Sequence, residues 1–145
     1  MDRLAGEPRD CPVATLACPF PPDSDPRDPN CVKVVMNSAG RALYFSRSLI
    51  PYPRDDGGGR TPDRWLLHLG VYAYRRSFLL KLAAWKPGVL EQIEKLEQLR
   101  VLESGVAMAV EIVAQSCVGI DTPSDYDQFV ARYHQRGKDA RSVKS

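Results

Sequence analysis

Between Leu66 and Arg75 the chain reads LLHLGVYAYR, an alternating run whose two sides differ. At a period of two, Leu67, Leu69, Val71 and Ala73 face one way, an apolar set that predicts the core side of a strand. His68, Gly70, Tyr72 and Tyr74 face the other way, hydrogen-bonding and aromatic groups around a glycine. A strand glycine often marks the close approach of a ligand or a second backbone, so this side is the candidate site. Tyrosines and a satisfied histidine packed beneath a helix would give the same spacing.

Other segments take simpler patterns. Val13 to Phe20, VATLACPF, predicts a short apolar strand that stops at Pro19 and Pro21, and Pro21 to Pro29 is a surface loop without apolar content. Cys31 to Met36 and Ala42 to Arg47 predict a hairpin across Asn37 to Arg41. In its second strand Leu43, Phe45 and Arg47 share a side, which leaves the arginine either covering the sheet margin or aimed at an anion. Ile50 to Pro53 leads into a loop, Asp55 to Pro62. Its three glycines follow an acidic pair rather than a strand, and no Lys-Ser or Lys-Thr comes after them, so a phosphate loop is excluded.

Ser77 to Trp85 predicts a short helix. Val89 to Ser104 predicts a single long one, stopped by Gly105, with Val89, Leu90, Ile93 and Leu96 as its buried stripe. Glu97 and Arg100 fall in that stripe at a spacing that lets them pair with each other, or face a polar cavity shared with His68 and Tyr72; Gln98 would reach such a cavity from its rim. Met108 to Ala114 predicts a further strand. Thr122, Pro123 and Asp125 form a helix start, with Tyr126, Phe129, Val130 and Tyr133 as the packing stripe of a helix to about His134. Asp121, just before that start, either stabilises the turn or holds a divalent cation.

Composition narrows the class. At 145 residues, 43% hydrophobic and 26% charged, the chain has the profile of a globular protein, and no apolar run approaches the ~18 residues of a membrane span. We expect one α/β domain over residues 13–136, between a loose N-terminus, 1–12, and a frayed tail, 137–145. Twenty basic residues against 18 acidic ones give a net charge of +2, which does not point to nucleic acid. Cys11, Cys18, Cys31 and Cys117 have neither C-x-x-C nor zinc-type spacing and read as free thiols. With no apolar run near the N-terminus to serve as a signal peptide, a cytoplasmic location is expected.

Four stretches carry a resemblance: DPNCVKVVMNSAGRALYFSRSLIPYPRD (Asp28 to Asp55), HLGVYAYR (His68 to Arg75), LEQIEKLEQLR (Leu90 to Arg100) and GIDTPSD (Gly119 to Asp125). In this order the chain resembles the 3-deoxy-manno-octulosonate cytidylyltransferases, which join the sugar acid Kdo to CMP from CTP with release of pyrophosphate. The resemblance implies an α/β fold, a mixed sheet packed by helices like the C-terminal half of a Rossmann-like nucleotidyltransferase. It also implies Arg47, His68, Tyr72, Glu97 and Gln98 as the Kdo-binding set, Asp121 as a magnesium ligand, Mg2+ as cofactor, and CTP as second substrate. No general base is demanded, since positioning and metal electrostatics supply most of phosphoryl transfer. The Gly-rich nucleotide loop and a second magnesium aspartate have no counterpart here. The resemblance therefore implies the sugar-acid half, in a homodimer or associated with a missing N-terminal half. Two alternatives stand beside it: a non-catalytic sugar-acid-binding or dimerising fragment, and a sialic-acid-type relative.

Overall fold

A computed structural model of the protein describes residues 11–21, 24–54, 65–114 and 130. Strands β1 (Val13–Pro19), β2 (Lys33–Met36), β3 (Ala42–Ser46) and β4 (Leu66–Tyr74) are followed by helices α1 (Arg76–Leu82), α2 (Val89–Glu94) and α3 (Leu99–Glu103), then by strand β5 (Met108–Ile112). The five strands form one sheet in the order β3-β2-β4-β1-β5. β1 runs antiparallel to β4 and parallel to β5, so the sheet is mixed, as expected. The hairpin forms where Asn37 to Arg41 predicted it, with Gly40 at φ 74° and the Asn37 side-chain oxygen accepting from the amides of Ala39 and Arg41.

The core lies on one side of the sheet. Val13 and Ala17 of β1, Val34 of β2, Phe45 of β3, and Met108 and Val110 of β5 pack against Leu96, Leu99 and Val101 from the α2–α3 segment. That placement reverses the expectation for β4. His68, Tyr72 and Tyr74 face the helices, whereas Val71 is 52% exposed and Ala73 is exposed as well. The physical reason is size. Two tyrosines and an imidazole bring more surface to the α3 side than the alanine and branched aliphatics of the other set, and their polar tips still find partners.

Gly70 marks a bulge. Thr15 pairs with Tyr72 and Ala17 with His68, so Leu16 alone stands opposite Leu69, Gly70 and Val71. Two extra residues on β4 keep the pairing in phase, and the strand accommodates them at Gly70, whose φ is 68°.

The long helix read over Val89 to Ser104 is two helices. Lys95, in the left-handed conformation at φ 55° and ψ 46°, ends α2, and α3 starts after Gln98. A continuous helix would align Val89, Ile93 and Leu96 in one stripe; instead Val89 is 64% and Ile93 is 72% exposed, while Leu96 is buried with Leu99 and Val101. The break turns the second half to the sheet, and the carbonyls it frees at Glu94 and Lys95 accept from Arg47. The expected stop at Gly105 is present, at φ 80°. The Asp55–Pro62 loop, Asp121 and, apart from the helical Val130, the helix expected after Thr122 lie outside the described residues. Among the described residues no helix is long and apolar enough to cross a membrane.

Candidate functional site

A cavity of about 630 Å³ opens where β4, α1 and the α2–α3 turn meet. Tyr72 and Tyr74 form its sheet side, Leu79, Leu82 and Ala83 its α1 side, and Lys95, Leu96, Glu97, Gln98 and Arg100 its turn side. The turn exists because Lys95 breaks the helix, so four consecutive residues reach one cavity. No regular helix would allow that, since successive side chains lie about 100° apart.

The polar ends in this cavity influence one another. The Tyr72 hydroxyl is pushed well above the usual phenol range, by burial first and then by Tyr74 and the Glu97 carboxylate. Tyr74 is shifted the same way by burial and by Glu97. Both phenols therefore remain neutral donor-acceptors at any ordinary pH. Gln98, 5% exposed, presents an amide with both donor and acceptor capacity. An acid carboxylate, two phenols and an amide suit a polyhydroxylated ligand, with apolar α1 residues to pack its carbon face.

His68 stands behind Tyr72, with ring centroids 5.4 Å apart, and meets Phe45 edge-on at 4.8 Å. Burial lowers its pKa from 6.5 to about 4, so the ring is neutral. Arg47 stands at the other end of the turn. Its Nε donates to the Glu94 carbonyl at 2.8 Å, Nη1 to the Pro29 carbonyl at 2.9 Å and Nη2 to the Lys95 carbonyl at 3.5 Å. Its own amide donates to the Glu94 carboxylate, which also accepts from the Ser46 hydroxyl at 2.6 Å. Arg47 thus neither covers the sheet margin nor lines the cavity; it braces the turn that carries Glu97 and Gln98.

Of the five residues the sequence singles out for the sugar acid, the structure brings Tyr72, Glu97 and Gln98 into the cavity, with His68 one ring behind and Arg47 at the turn's base. Tyr74, which alternation had put on the candidate side but the resemblance left out of the sugar-acid set, lines the cavity too, and sequence reasoning missed Lys95. Lys95 could not be placed without the helix break. Lys33 was missed as well. Fully buried, its ammonium donates to the carbonyls of Asp28 at 3.0 Å, Cys31 at 2.5 Å and Arg47 at 2.6 Å.

Of the two readings of Glu97 and Arg100, a pair with each other or a place at a shared cavity, the structure shows the second: both line the cavity and no pair forms between them. Arg100 instead makes a bidentate pair with Glu91, Nε to Oε2 at 2.7 Å and Nη2 to Oε1 at 2.5 Å, while Glu97 is exposed. The helix break explains the exchange: residues nine apart meet when two short helices fold against each other. The Arg100 guanidinium, followed by the Gly88 amide, holds the Glu91 carboxyl below its usual range. Removing one member leaves the other poorly solvated, so Arg100→Met is expected to cost about 2 kcal/mol. Urea unfolding at neutral pH checks this, and a loss below ~0.5 kcal/mol would mean the pair behaves as a surface one.

Comparison with known proteins adds four findings. A family model described as cytidylyltransferase matches residues 6–112. The 3-deoxy-manno-octulosonate cytidylyltransferase of Xanthomonas campestris pv. campestris (strain B100) is 48% identical over 126 residues, covering 83% of this chain and 45% of the relative. That of Rhodopirellula baltica is 48% identical over 125 residues, covering 83% and 50%. A solved structure of a CMP:2-keto-3-deoxy-manno-octonic acid synthetase complexed with CTP superposes with a TM-score of 0.79 at 39% identity, covering 89% of this chain and 52% of that one. The chain therefore spans about half the length of the relatives it matches.

Proposed function

From the premise that the chain belongs to the cytidylyltransferase family, we propose that it provides the sugar-acid half of a 3-deoxy-manno-octulosonate cytidylyltransferase. The activity is the attack of the Kdo anomeric hydroxyl on the α-phosphate of CTP, giving CMP-Kdo and pyrophosphate for lipopolysaccharide synthesis. The observation that carries this reading is the cavity of Tyr72, Tyr74, Glu97 and Gln98, built on stretches for which relatives of that name are 48% identical. Tyr72, Glu97 and Gln98 hold the sugar's hydroxyls, His68 supports them, and Arg47 acts on the acid end of the ligand or through the turn it braces.

Magnesium belongs to the same reading. Asp121 is a hard oxygen donor of the kind that holds Mg2+ together with substrate phosphates, but it lies outside the described residues. Among the described ones no group of three or more His, Cys, Asp or Glu could hold a cation, so no step is assigned to the metal here. CTP would be bound with a second, nucleotide-binding half or copy, and a cytoplasmic setting belongs to the same reading.

Because the chain spans half of its relatives, a second reading is a sugar-acid-binding unit with no turnover of its own. The test is pyrophosphate release by the purified chain with CTP, Kdo and magnesium, run beside a calorimetric Kdo titration. Turnover supports the enzyme, Kdo binding without turnover supports the binding unit, and loss of both signals in a folded chain overturns the proposal. In the same titration Gln98→Leu, close in volume but unable to hydrogen-bond, is expected to weaken Kdo about tenfold; unchanged affinity would remove Gln98 from the site.

A further inference from the structure

Thr15 sits in the middle of β1, 2% exposed, opposite the bulge of β4. Its hydroxyl lies 2.7 Å from the Val71 carbonyl and 2.9 Å from His68 Nε2. A hydroxyl has one proton, and a carbonyl can only accept. The proton therefore goes to Val71, and the Thr15 oxygen must take its other hydrogen bond from a protonated Nε2. In a neutral ring that leaves Nδ1 with a lone pair.

The backbone enforces this arrangement. Leu69, Gly70 and Val71 stand opposite Leu16 alone, so the regular ladder is interrupted and the Val71 carbonyl takes a side-chain donor instead. Were the bulge absent, the hydroxyl would be free to donate to His68 and the other tautomer would be favoured. Gly70, at φ 68°, is the residue that makes the bulge easy to form.

We propose that Thr15 is a positioning residue that holds His68 as its Nε2–H tautomer, a neutral ring fixed behind Tyr72 that supports this tyrosine at the cavity wall and brings no cation to it. The inference rests on reading the neighbouring cavity as a sugar-acid site, in which His68 acts through Tyr72. The acid end of the ligand must then find its positive partner elsewhere. Neutrality of the ring agrees with the buried surroundings of His68, which meets Phe45 edge-on and Tyr72 at a tilt.

The chain has two histidines, His68 and His134, so long-range nitrogen-proton NMR of the imidazoles is simple to assign with a His134→Gln variant. The expected spectrum shows His68 protonated on Nε2 alone and unchanged between about pH 5.5 and pH 8, whereas a free histidine titrates in that range. A proton on Nδ1, or on both nitrogens near neutrality, overturns the proposal. Thr15→Val should change the tautomer pattern and weaken Kdo about tenfold, and Thr15→Ser should restore both to within about twofold. Equal Kdo affinity in wild type and Thr15→Val overturns the link to binding. If the wild type binds no Kdo, the functional reading fails while the spectrum still decides the tautomer, and if Thr15→Val does not fold, the wild-type and Thr15→Ser spectra decide it.

Discussion

Lowering the pH from 7 to about 4 is expected to cost the chain about 3 kcal/mol of stability through His68 alone. Unfolded, this histidine titrates near 6.5; folded, burial keeps it neutral down to about 4. Between those values the unfolded chain binds one proton that the folded chain does not. Stability is therefore whole above pH 6.5 and falls as pH drops through the window, levelling off below the folded value. At ~1.4 kcal/mol per pH unit, 2.5 units amount to about 3.5 kcal/mol in full, of which about 3 kcal/mol is lost by pH 4, where the folded histidine is half protonated. Glu91 adds a loss of the same sign lower down, because Arg100 depresses its folded pKa below the ordinary 4.5, and what the pair contributes disappears as pH falls through that lowered value. Comparison with His68→Gln separates the two. Urea unfolding at pH 7, 5.5 and 4 should give a steep series for wild type and a shallower one for the variant; parallel series would mean that His68 is not buried neutral.

Replacing Lys33 with methionine is expected to destabilise the protein by about 3 kcal/mol, despite the similar length and greater apolarity of the new side chain. The ammonium has three protons, and each goes to a carbonyl: Asp28, Cys31 and Arg47. Methionine leaves all three acceptors in one place with no donor, at ~1–3 kcal/mol each. Relief from burying a charge offsets part of that, since burial already lowers the Lys33 pKa more than Cys31, Asp28 and Glu94 raise it. Lys33→Arg should not rescue, because a planar fork cannot point three donors to three corners. The Arg47 carbonyl is one of the acceptors, so the Arg47 amide that donates to Glu94 should exchange faster with solvent in Lys33→Met. A cost under ~1 kcal/mol, or unchanged exchange at Arg47, would contradict this account.

Local chemistry made much of this legible in the sequence. Asn37 to Arg41 marked the hairpin because turn residues act within a few positions, and Gly105 marked a helix end for the same reason. Alternation in LLHLGVYAYR correctly set His68, Tyr72 and Tyr74 on one side, but not which side was inside. That choice depends on what covers the strand, and here the cover comes from Leu96, Leu99 and Val101, some 25 residues later. The break at Lys95 was hidden because lysine, leucine and glutamate all favour helix; the left-handed turn is imposed by tertiary partners, Arg47 on its carbonyls and Glu94 on the end of β3. Consequently the polar set of Glu97 and Gln98 was found, while the pairing of Arg100 with Glu91 was not. The buried Lys33 stood in plain view as a charge within VKVVM, although its three acceptors come from loops that no periodicity describes.

The place of β1 between β4 and β5 has a consequence in time. Val13 pairs with Tyr74, 61 residues on, and with Met108, 95 residues on, whereas β2 and β3 meet across a five-residue turn. During synthesis the hairpin can close almost as soon as it emerges. β1 must wait until both neighbours exist, and its loop-closure entropy is settled late. Folding should be slow for so small a chain, and VATLACPF, the segment most prone to join a wrong edge, is the one that waits longest.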